Sequence, residues 1–189
     1  MRMSGQVVAV GRAAGNVFKK PVSDAITLVK GLGVEGDAHN GVTVQHIYLK
    51  NKDATAPNLR QVHLIQSELF EYLRGKDFDV GPGDLGENVT TAGIALTDLP
   101  VGTRLHMGKA CVELTGLRNP CKQIDGFQRG LTKAVTAKNA DGRAHLKFGV
   151  MGVVLAGGCL KPDDAITVEV PNGANAPLQP VWLVAPAGL

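Results

Sequence analysis

The fold class depends on how "GLGVEGDAHNGVTVQHIYL" (residues 31–49) is interpreted. Its first six residues match G-x-G-x-x-G, the glycine spacing of a dinucleotide-binding loop, and follow the strand-like "AITLV". In such a loop the last glycine must open a helix, because the pyrophosphate binds the free N–H groups at the helix N-terminus. After Gly36 the chain has Gly41, the β-branched Thr43 and Val44, and no apolar spacing of three and four. The stretch therefore predicts a turn into extended chain and argues against a doubly wound α/β fold.

A second G-x-G-x-x-G match, "GPGDLG" (residues 81–86), fails in the same way. It follows the charged "RGKDFDV" and runs into the strand-like "ENVTTAGIAL". Both sets of glycines are therefore expected to form turns and close backbone contacts, and no dinucleotide site is predicted.

Length and composition favour one turn-rich, mainly β domain. The chain has 189 residues, 24 of them glycine, and an aromatic fraction of only 4%. Short apolar or alternating runs recur between turn signals, as expected for a barrel or two packed sheets. The predicted strands are "QVVAV" (6–10), "AITLVK" (25–30), "HIYLK" (46–50), "QVHLI" (61–65), "ENVTT" (87–91), "TRLHM" (103–107), "CVELTGL" (111–117), "GVVLAGG" (152–158) and "AITVEV" (165–170).

Two stretches favour helices instead. "SELFEYLRG" (residues 67–75) has Ser67 as an N-cap candidate, an apolar side and Gly75 as a terminator. "FQRGLTKAVTAKN" (127–139) is a weaker helical pattern, diluted by glycine and β-branched residues. We expect a single domain over residues 1–170 and a Pro/Ala-rich tail over 171–189 without regular structure, in which Trp182 packs on the core.

The charge distribution limits the partners. A net charge of +3 is too small for the basic footprint of a nucleic-acid-binding protein. The N-terminus has no signal-peptide pattern and the longest apolar run is too short for a membrane span, so we expect a cytoplasmic protein without membrane contact. Arg118, Lys122, Arg129 and Lys133 form a local basic segment, which is either an anion site or a solvated face.

The chain has only three cysteines and cannot build a four-cysteine cluster, so each thiol has its own environment and role. Cys111 and Cys159 lie in apolar stretches and are predicted to be buried structural thiols. Cys121 follows Pro120 just past a predicted strand, with Arg118 and Lys122 nearby. Neighbouring cations favour the reactive thiolate, so either a functional or a structural role is open for Cys121 on these grounds.

Four stretches in order carry a family resemblance. They are "GLGVEGDAHNG", "RQVHLIQSE", "GDLGENVTTAGIALTDLPVGTRLHMGKACVELTGLRNPC" and "GVMGVVLAGGCLKPDDAITVEVP". Together they resemble the MOSC domain family, named for the C-terminal domain of molybdenum cofactor sulfurase, and in particular its short stand-alone bacterial members. The resemblance implies a mainly β, barrel-like fold with a few short α-helices. It also implies a catalytic cysteine, Cys121, which acts as a molybdenum ligand or a sulfur carrier.

The resemblance further implies a pocket for the molybdenum cofactor, molybdopterin. The residues that match it are Lys30, Gly36, Asp37, His39, Gly86, Glu87, Asn88, Arg118 and Asn119. We hypothesise that the 31–36 turn brings backbone amides to the phosphate of the pterin, as a nest does, with Lys30 or Arg118 as counter-charge. Judged by residue type alone, Asp37 and His39 form either a small polar site or a solvated turn.

Three functions are compatible with these residues. Family relatives reduce N-hydroxylated compounds, including base analogues, so the first is a molybdenum-dependent oxidoreductase that acts on a small molecule and needs an external electron-donor reductase. The second is a sulfur carrier in which Cys121 accepts persulfide sulfur from a pyridoxal-phosphate-dependent cysteine desulfurase. The third is a binding module that stores or delivers the cofactor without turnover.

Overall fold

The computed structural model describes residues 3–120, 123–138, 144–173 and 176–181. Strands dominate it. Within these residues the strands are β1 (Ser4–Gly11), β2 (Val22–Ser23), β3 (Ile26–Val29), β4 (Gly33–Val34), β5 (Val62–Gln66), β6 (Val89–Ala92), β7 (Arg104–Met107), β8 (Ala110–Leu117), β9 (Thr136–Lys138), β10 (Ala144–Leu146), β11 (Val150–Ala156), β12 (Gly158–Leu160) and β13 (Ala165–Glu169). The helices are α1 (Ile47–Lys50), α2 (Glu68–Arg74), α3 (Gln123–Phe127) and α4 (Leu131–Val135), with a 3₁₀ turn at Leu96–Asp98.

A closed barrel forms the centre of the described chain. Seven of the described strands follow the order β13-β7-β8-β11-β5-β6-β1, and β1 pairs with both β6 and β13 to close the ring. Every contact in the ring is antiparallel except β5 with β6. Closure removes the unpaired edges that an open sheet would expose. The prediction of a mainly β barrel with short helices is confirmed.

The barrel interior is filled by alternate residues of its strands. In β7, Leu105 and Met107 are fully buried whereas Arg104 is exposed on the outer face. The same alternation in β8 buries Val112 and Leu114. A side-chain period of two is what the pleat of a strand imposes, so the alternating runs correctly predicted these elements.

The predicted helix at residues 67–75 is confirmed as α2. Its Leu69, Phe70 and Leu73 are buried in a second apolar cluster beside the barrel, and Gly75 ends the helix. Ser67 takes the N-cap position but makes no side-chain cap hydrogen bond. The weaker pattern over 127–139 yields only the five residues of α4, after which the chain enters β9.

The strand predicted at "HIYLK" is wrong, because these residues form helix α1. The N–H of Lys50 donates to the carbonyl of His46 at 2.8 Å. Leu49 turns inward onto Val44 and Ala56, while Tyr48 is exposed. A short apolar run is compatible with either period, so the pattern by itself could not distinguish a strand from a helix.

The glycine motif at residues 31–36 contains β4, which residues 30–32 connect to β3, and the chain leaves the motif without a helix. All three of its motif glycines have positive φ, between 71° and 113°, which other residues rarely adopt. The chain then continues through turns to residue 46. The predicted turn is confirmed, and the extended chain predicted after it is limited to a bridge between Thr43 and Pro57.

The described part of the tail lies along the barrel. Leu117 accepts from Val181 at 3.1 Å and donates to Gln179 at 2.8 Å, and Leu178 is buried. Trp182 lies outside the described residues. None of the described helices is long and apolar enough to cross a membrane.

Candidate functional site

A cavity of about 460 Å³ lies beside the end of β8. Its walls come from the β1–β2 loop, the segment from residue 39 through α1, the turn before β6, the residue after β8 and the start of α3. The lining residues are Asn16, Val17, Phe18, Lys20, His39, His46, Ile47, Tyr48, Asn51, Leu85, Gly86, Arg118 and Gln123. Among them His39, Gly86 and Arg118 were predicted as site residues, and the structure brings these three together.

A buried ion pair supports one wall. The Nζ of Lys20 lies 2.7 Å from Oδ2 of Asp37, and the two side chains are 5% and 0% exposed. The N–H of Lys20 also donates to the carbonyl of Gly83 at 2.9 Å, which ties the β1–β2 loop to the turn before β6. Of the two interpretations for Asp37, the solvated turn is therefore wrong.

Asp37 is surrounded by donors. Its Oδ2 accepts from the Ala13 N–H at 3.2 Å and from Nδ2 of Asn88 at 3.0 Å, and its Oδ1 accepts from the His39 N–H at 3.0 Å. Burial alone would raise the pKa of Asp37. Hydrogen bonds from His39 and the charge of Lys20 outweigh burial, and the pKa lies well below its usual range. Asp37 is therefore ionised, which makes the contact with Lys20 an ion pair although burial lowers the pKa of Lys20.

His39 lies between this carboxylate and the cavity. Its Nδ1 is 3.4 Å from Oδ1 of Asp37, and the ring lines the cavity wall. Burial lowers the pKa of His39, Asp37 opposes that shift, and the charges of Lys20 and Arg118 add to it. The arrangement holds a largely neutral imidazole next to a fixed carboxylate, which is the geometry of an oriented acid–base group.

Asn88 holds Asp37 in place from the opposite side. Its Nδ2 also donates to the carbonyl of Gly11 at 3.1 Å, and its Oδ1 accepts from the His63 N–H at 3.1 Å. All of its hydrogen-bonding capacity is directed at the barrel and at Asp37. Asn88 is therefore a positioning residue for the ion pair.

Glu87 is buried but is not among the residues that line the cavity. Its Oε1 accepts from the Gly83 N–H at 2.6 Å and from Thr90 Oγ1 at 3.1 Å. Burial raises its pKa. The structure places Glu87 as a support for the 81–86 turn, on which Gly86 reaches the cavity.

Arg118 is the central cation of the site. Its guanidinium carbon lies 5.5 Å from the ring centre of Phe148, and the group donates to the carbonyl of Asn119. Its charge contributes to the lowered pKa values of Lys20, His39, His46 and His63. Arg129 and Lys133 are exposed instead. The basic segment therefore combines one cavity residue with a solvated face. Cys121 and Lys122 lie outside the described residues.

Lys30 and Gly36 are not brought to the site, since neither lines the cavity. The amides of the turn already have partners: Gly31 donates to Val154, Leu32 to Val29 and Glu35 to Thr27. These three N–H groups are therefore not available to an anion. The structure does not support the nest hypothesis for this turn.

Sequence patterns did not single out Lys20 and His46. Lys20 stands in "FKKPVS" next to a second lysine, and nothing local separates the two. His46 has a buried Nδ1 without a hydrogen-bond partner among the described residues, and burial, with help from Arg60, lowers its pKa to about 4. Lys20 and His46 reach the cavity only because loops that are distant in sequence pack together in the fold.

The two described cysteines differ. Cys111 is buried in β8, as predicted, and burial raises the pKa of its thiol. Cys159 is exposed, so the prediction of a buried thiol is wrong. It lies on β12, at the edge of a three-stranded sheet, where Leu160 takes the inward position.

Comparisons with known proteins agree with this architecture. The sequence profile of the MOSC domain matches residues 51–167. The crystal structure of the YuaD protein from Bacillus subtilis is similar, with 24% identity, a TM-score of 0.73 and coverage of 89% of this chain and 97% of that one. YiiM from Escherichia coli has 19% identity and a TM-score of 0.62, covering 93% of this chain and 73% of its own.

YiiM from Geobacillus stearothermophilus gives nearly the same result, with 18% identity, a TM-score of 0.61 and coverage of 91% and 77%. At these identities the solved structures establish the shared fold. No curated protein sequence matches significantly. Because the profile match spans more than half of the chain, the protein belongs to the MOSC domain family.

Proposed function

We propose that this protein binds the molybdenum cofactor and reduces N-hydroxylated small molecules, with Cys121 as a protein ligand to the metal. The observation that supports this most is the cationic cavity beside β8. Lys20 and Arg118 line it, and no acidic side chain is among its described lining residues. Such a wall suits an anionic ligand.

The cavity also fits the other properties of the cofactor. Its volume of about 460 Å³ is in the range of small-molecule sites. Phe18 and Tyr48 supply aromatic surface for a pterin ring, and Val17 and Ile47 add apolar rim. The His46 ring lines the cavity as well, and its buried Nδ1 has no hydrogen-bond partner among the described residues.

The position of Cys121 in the sequence agrees with a metal ligand. Arg118 and Gln123 flank it at three and two residues, and both line the cavity. Thiolate is a soft ligand of the kind that redox metals accept, and nearby cations favour it. The described residues contain no group of three or more His, Cys, Asp or Glu able to hold a metal, so the remaining donors would belong to the cofactor.

When bound, the cofactor supplies two-electron reduction of an N–O bond. Conversion of N–OH to N–H with release of water consumes two electrons and two protons. His39, oriented by Asp37, is suited to hold and transfer a proton at Nε2. Arg118 would hold the anionic part of the ligand, beside the buried Lys20–Asp37 ion pair. The electrons would come from a separate reductase.

Molybdenum and pterin content of the purified protein test the proposal. The protein would be produced in a host that makes the cofactor, as wild type, Cys121→Ala and Cys159→Ala. Cys159 is the matched control, because it is a cysteine exposed on β12 and away from the cavity. We expect stoichiometric metal and pterin in the wild type and in Cys159→Ala, and loss of the metal in Cys121→Ala.

Absence of both metal and pterin from folded wild-type protein would refute the proposal. Persulfide transfer would then be measured by mass spectrometry after incubation with a cysteine desulfurase and cysteine. A sulfur adduct that depends on Cys121, and not on Cys159, would assign the carrier function. Pterin bound stoichiometrically but without turnover of an N-hydroxylated substrate by any electron donor would assign a storage module.

A further inference from the structure

Exposed apolar side chains surround the mouth of the cavity. Val17, Ile47 and Tyr48 line it and are nevertheless 57%, 57% and 55% exposed. The other large hydrophobic residues that are exposed in the described chain do not line the cavity; they are Met3, Val22, Val42 and Tyr72. A single exposed apolar residue is ordinary, whereas a group of them around one cavity is typical of a contact surface. We call Val17, Ile47 and Tyr48 the mouth patch.

The last described residues of the chain run towards this end of the barrel. Pro180 forms a parallel bridge with Leu117, the last residue of β8, so the tail follows the direction of that strand. The residue after Leu117 is Arg118, which lines the cavity. Val181 is buried and donates its N–H to the carbonyl of Leu117 at 3.1 Å. The tail therefore reaches the level of the cavity at Val181.

Arg60 connects the same point of the tail to the mouth patch. Its guanidinium donates to the carbonyl of Val181 at 3.1 Å. Burial and, after it, the charge of Arg60 lower the pKa of His46, so Arg60 also lies near that ring. His46 lines the cavity and directly precedes Ile47 in the sequence. Val181 is therefore held beside the wall that carries Ile47 and Tyr48.

The eight residues that follow Val181 are suited to cover an apolar surface. They read "WLVAPAGL" (residues 182–189) and contain no charged side chain. Trp182, Leu183 and Val184 would each expose apolar area to water if they made no contact, which the hydrophobic effect disfavours. Eight residues of extended chain reach about 26 Å. This length exceeds the width of a compact cavity of about 460 Å³, so the segment is long enough to cross the mouth.

We propose that residues 182–189 dock over the mouth patch as a strap, with Trp182 and Leu183 against Ile47 and Tyr48. The occupant is a segment of the same chain, because its attachment point lies at the patch and gives it a high effective concentration there. Docking buries apolar side chains on both surfaces and excludes water from the cavity. A ligand enters the cavity by displacing the strap. The proposal does not depend on the molybdenum cofactor, because it concerns two parts of the protein itself.

Tryptophan fluorescence tests the strap directly, because Trp182 is the one tryptophan of the chain. Emission and acrylamide quenching would be measured on the full-length protein as purified. We expect emission at short wavelength and protection from the quencher. In the double variant Ile47→Ser and Tyr48→Ser, emission should shift to longer wavelength and quenching should approach that of the urea-unfolded protein. Protein from a host that lacks the cofactor should behave alike, which separates this result from the proposed function.

Tyr72→Ser is the matched control. Tyr72 is another exposed tyrosine with a lysine over its ring: the Nζ of Lys76 is 5.1 Å from its ring centre, and that of Lys52 is 4.7 Å from the ring centre of Tyr48. This variant should keep the wild-type emission and quenching. Wild-type Trp182 that is open to the quencher, or that stays equally protected in the double variant, would overturn the proposal. Protection that disappears on dilution would also overturn it and would assign the patch to a second copy of the chain.

Discussion

Lys20 and Asp37 form an ion pair of 2.7 Å that is almost completely removed from solvent, whereas the adjacent Lys19 pairs with Asp84 at 2.8 Å on the surface. The side chains of the second pair are 52% and 30% exposed. Two consecutive lysines thus offer a matched comparison of a buried and an exposed ion pair. The buried pair connects the β1–β2 loop to the residue that orients His39.

Breaking the buried pair should strongly destabilise the protein. Lys20→Met leaves a buried carboxylate and Asp37→Asn leaves a buried ammonium, and each should reduce the free energy of unfolding by about 3–5 kcal/mol. The double variant should lose less than the sum of the two. Lys19→Met is the control and should change stability by about 1 kcal/mol or less. Urea unfolding measures all four, and equal losses for Lys19→Met and Lys20→Met would contradict the burial argument.

Stability should fall as the solution is acidified below about pH 6.5, the ordinary pKa of histidine. The folded pKa values of His39, His46 and His63 are all lowered, chiefly by burial, so the unfolded chain binds more protons in this range. Asp37, whose folded pKa is also lowered, extends the loss to more acidic pH. Glu87 acts in the opposite sense, because its folded pKa is raised.

His46→Gln tests the contribution of one of these rings. It should flatten the dependence of the free energy of unfolding on pH between about 6.5, the ordinary histidine pKa, and 4, the lowered pKa of His46. The change cannot exceed about 1.4 kcal/mol per pH unit, and solvent screening of this partly exposed ring makes it smaller. His106→Gln, on the outer face of β7, controls for loss of a surface imidazole. An unchanged slope in His46→Gln would show that His46 is protonated alike in both states.

Gly86→Ala should destabilise the protein more than Gly31→Ala. Both glycines have positive φ, 78° and 71°, so both substitutions strain the backbone by about 1–2 kcal/mol. A Cβ at Gly86 would also lie 2.5 Å from the carbonyl oxygen of Phe18, whereas a Cβ at Gly31 meets nothing within 4 Å. Urea midpoints give the comparison. Equal urea midpoints for the two variants would show that the backbone at Gly86 and Phe18 can move apart to accommodate the new Cβ.

The two described thiols should differ in reactivity. In a Cys121→Ala background, one thiol should react rapidly with Ellman's reagent, because Cys159 is exposed. Cys111 should react only after urea is added, since it is buried and burial raises its thiol pKa. Adding Cys159→Ser should remove the rapid phase. A rapid phase that persists would mean that β8 opens under native conditions.

The patterns along the chain were sufficient to predict a mainly β fold and one helix, whereas the choice of a barrel over two packed sheets came from the family resemblance. Alternating runs such as "TRLHM" have the period of a strand, and "SELFEYLRG" has the spacing and terminator of a helix. The glycine motifs were correctly assigned to turns, because no helix pattern followed them. These features are local: each depends on a few neighbouring residues and on which side of an element is apolar.

Tertiary structure decided the features that depend on distant parts of the chain. Asp37 accepts a hydrogen bond from Asn88, which is 51 residues away in sequence, and Arg60 donates one to Val181, which is 121 residues away. Neither contact can be predicted from the neighbouring sequence. Cys159 is exposed because it lies on the outward face of β12, opposite the exposed Thr27. Residues 47–50 form a helix whose Leu49 packs in a small apolar cluster. The period of apolar residues predicts which side chains are buried. Closure of the barrel determines which buried charged side chains lie next to each other. The sequence by itself therefore determined the mainly β class and, through the family resemblance, the barrel, whereas only the closed barrel placed Lys20, and not Lys19, at the site.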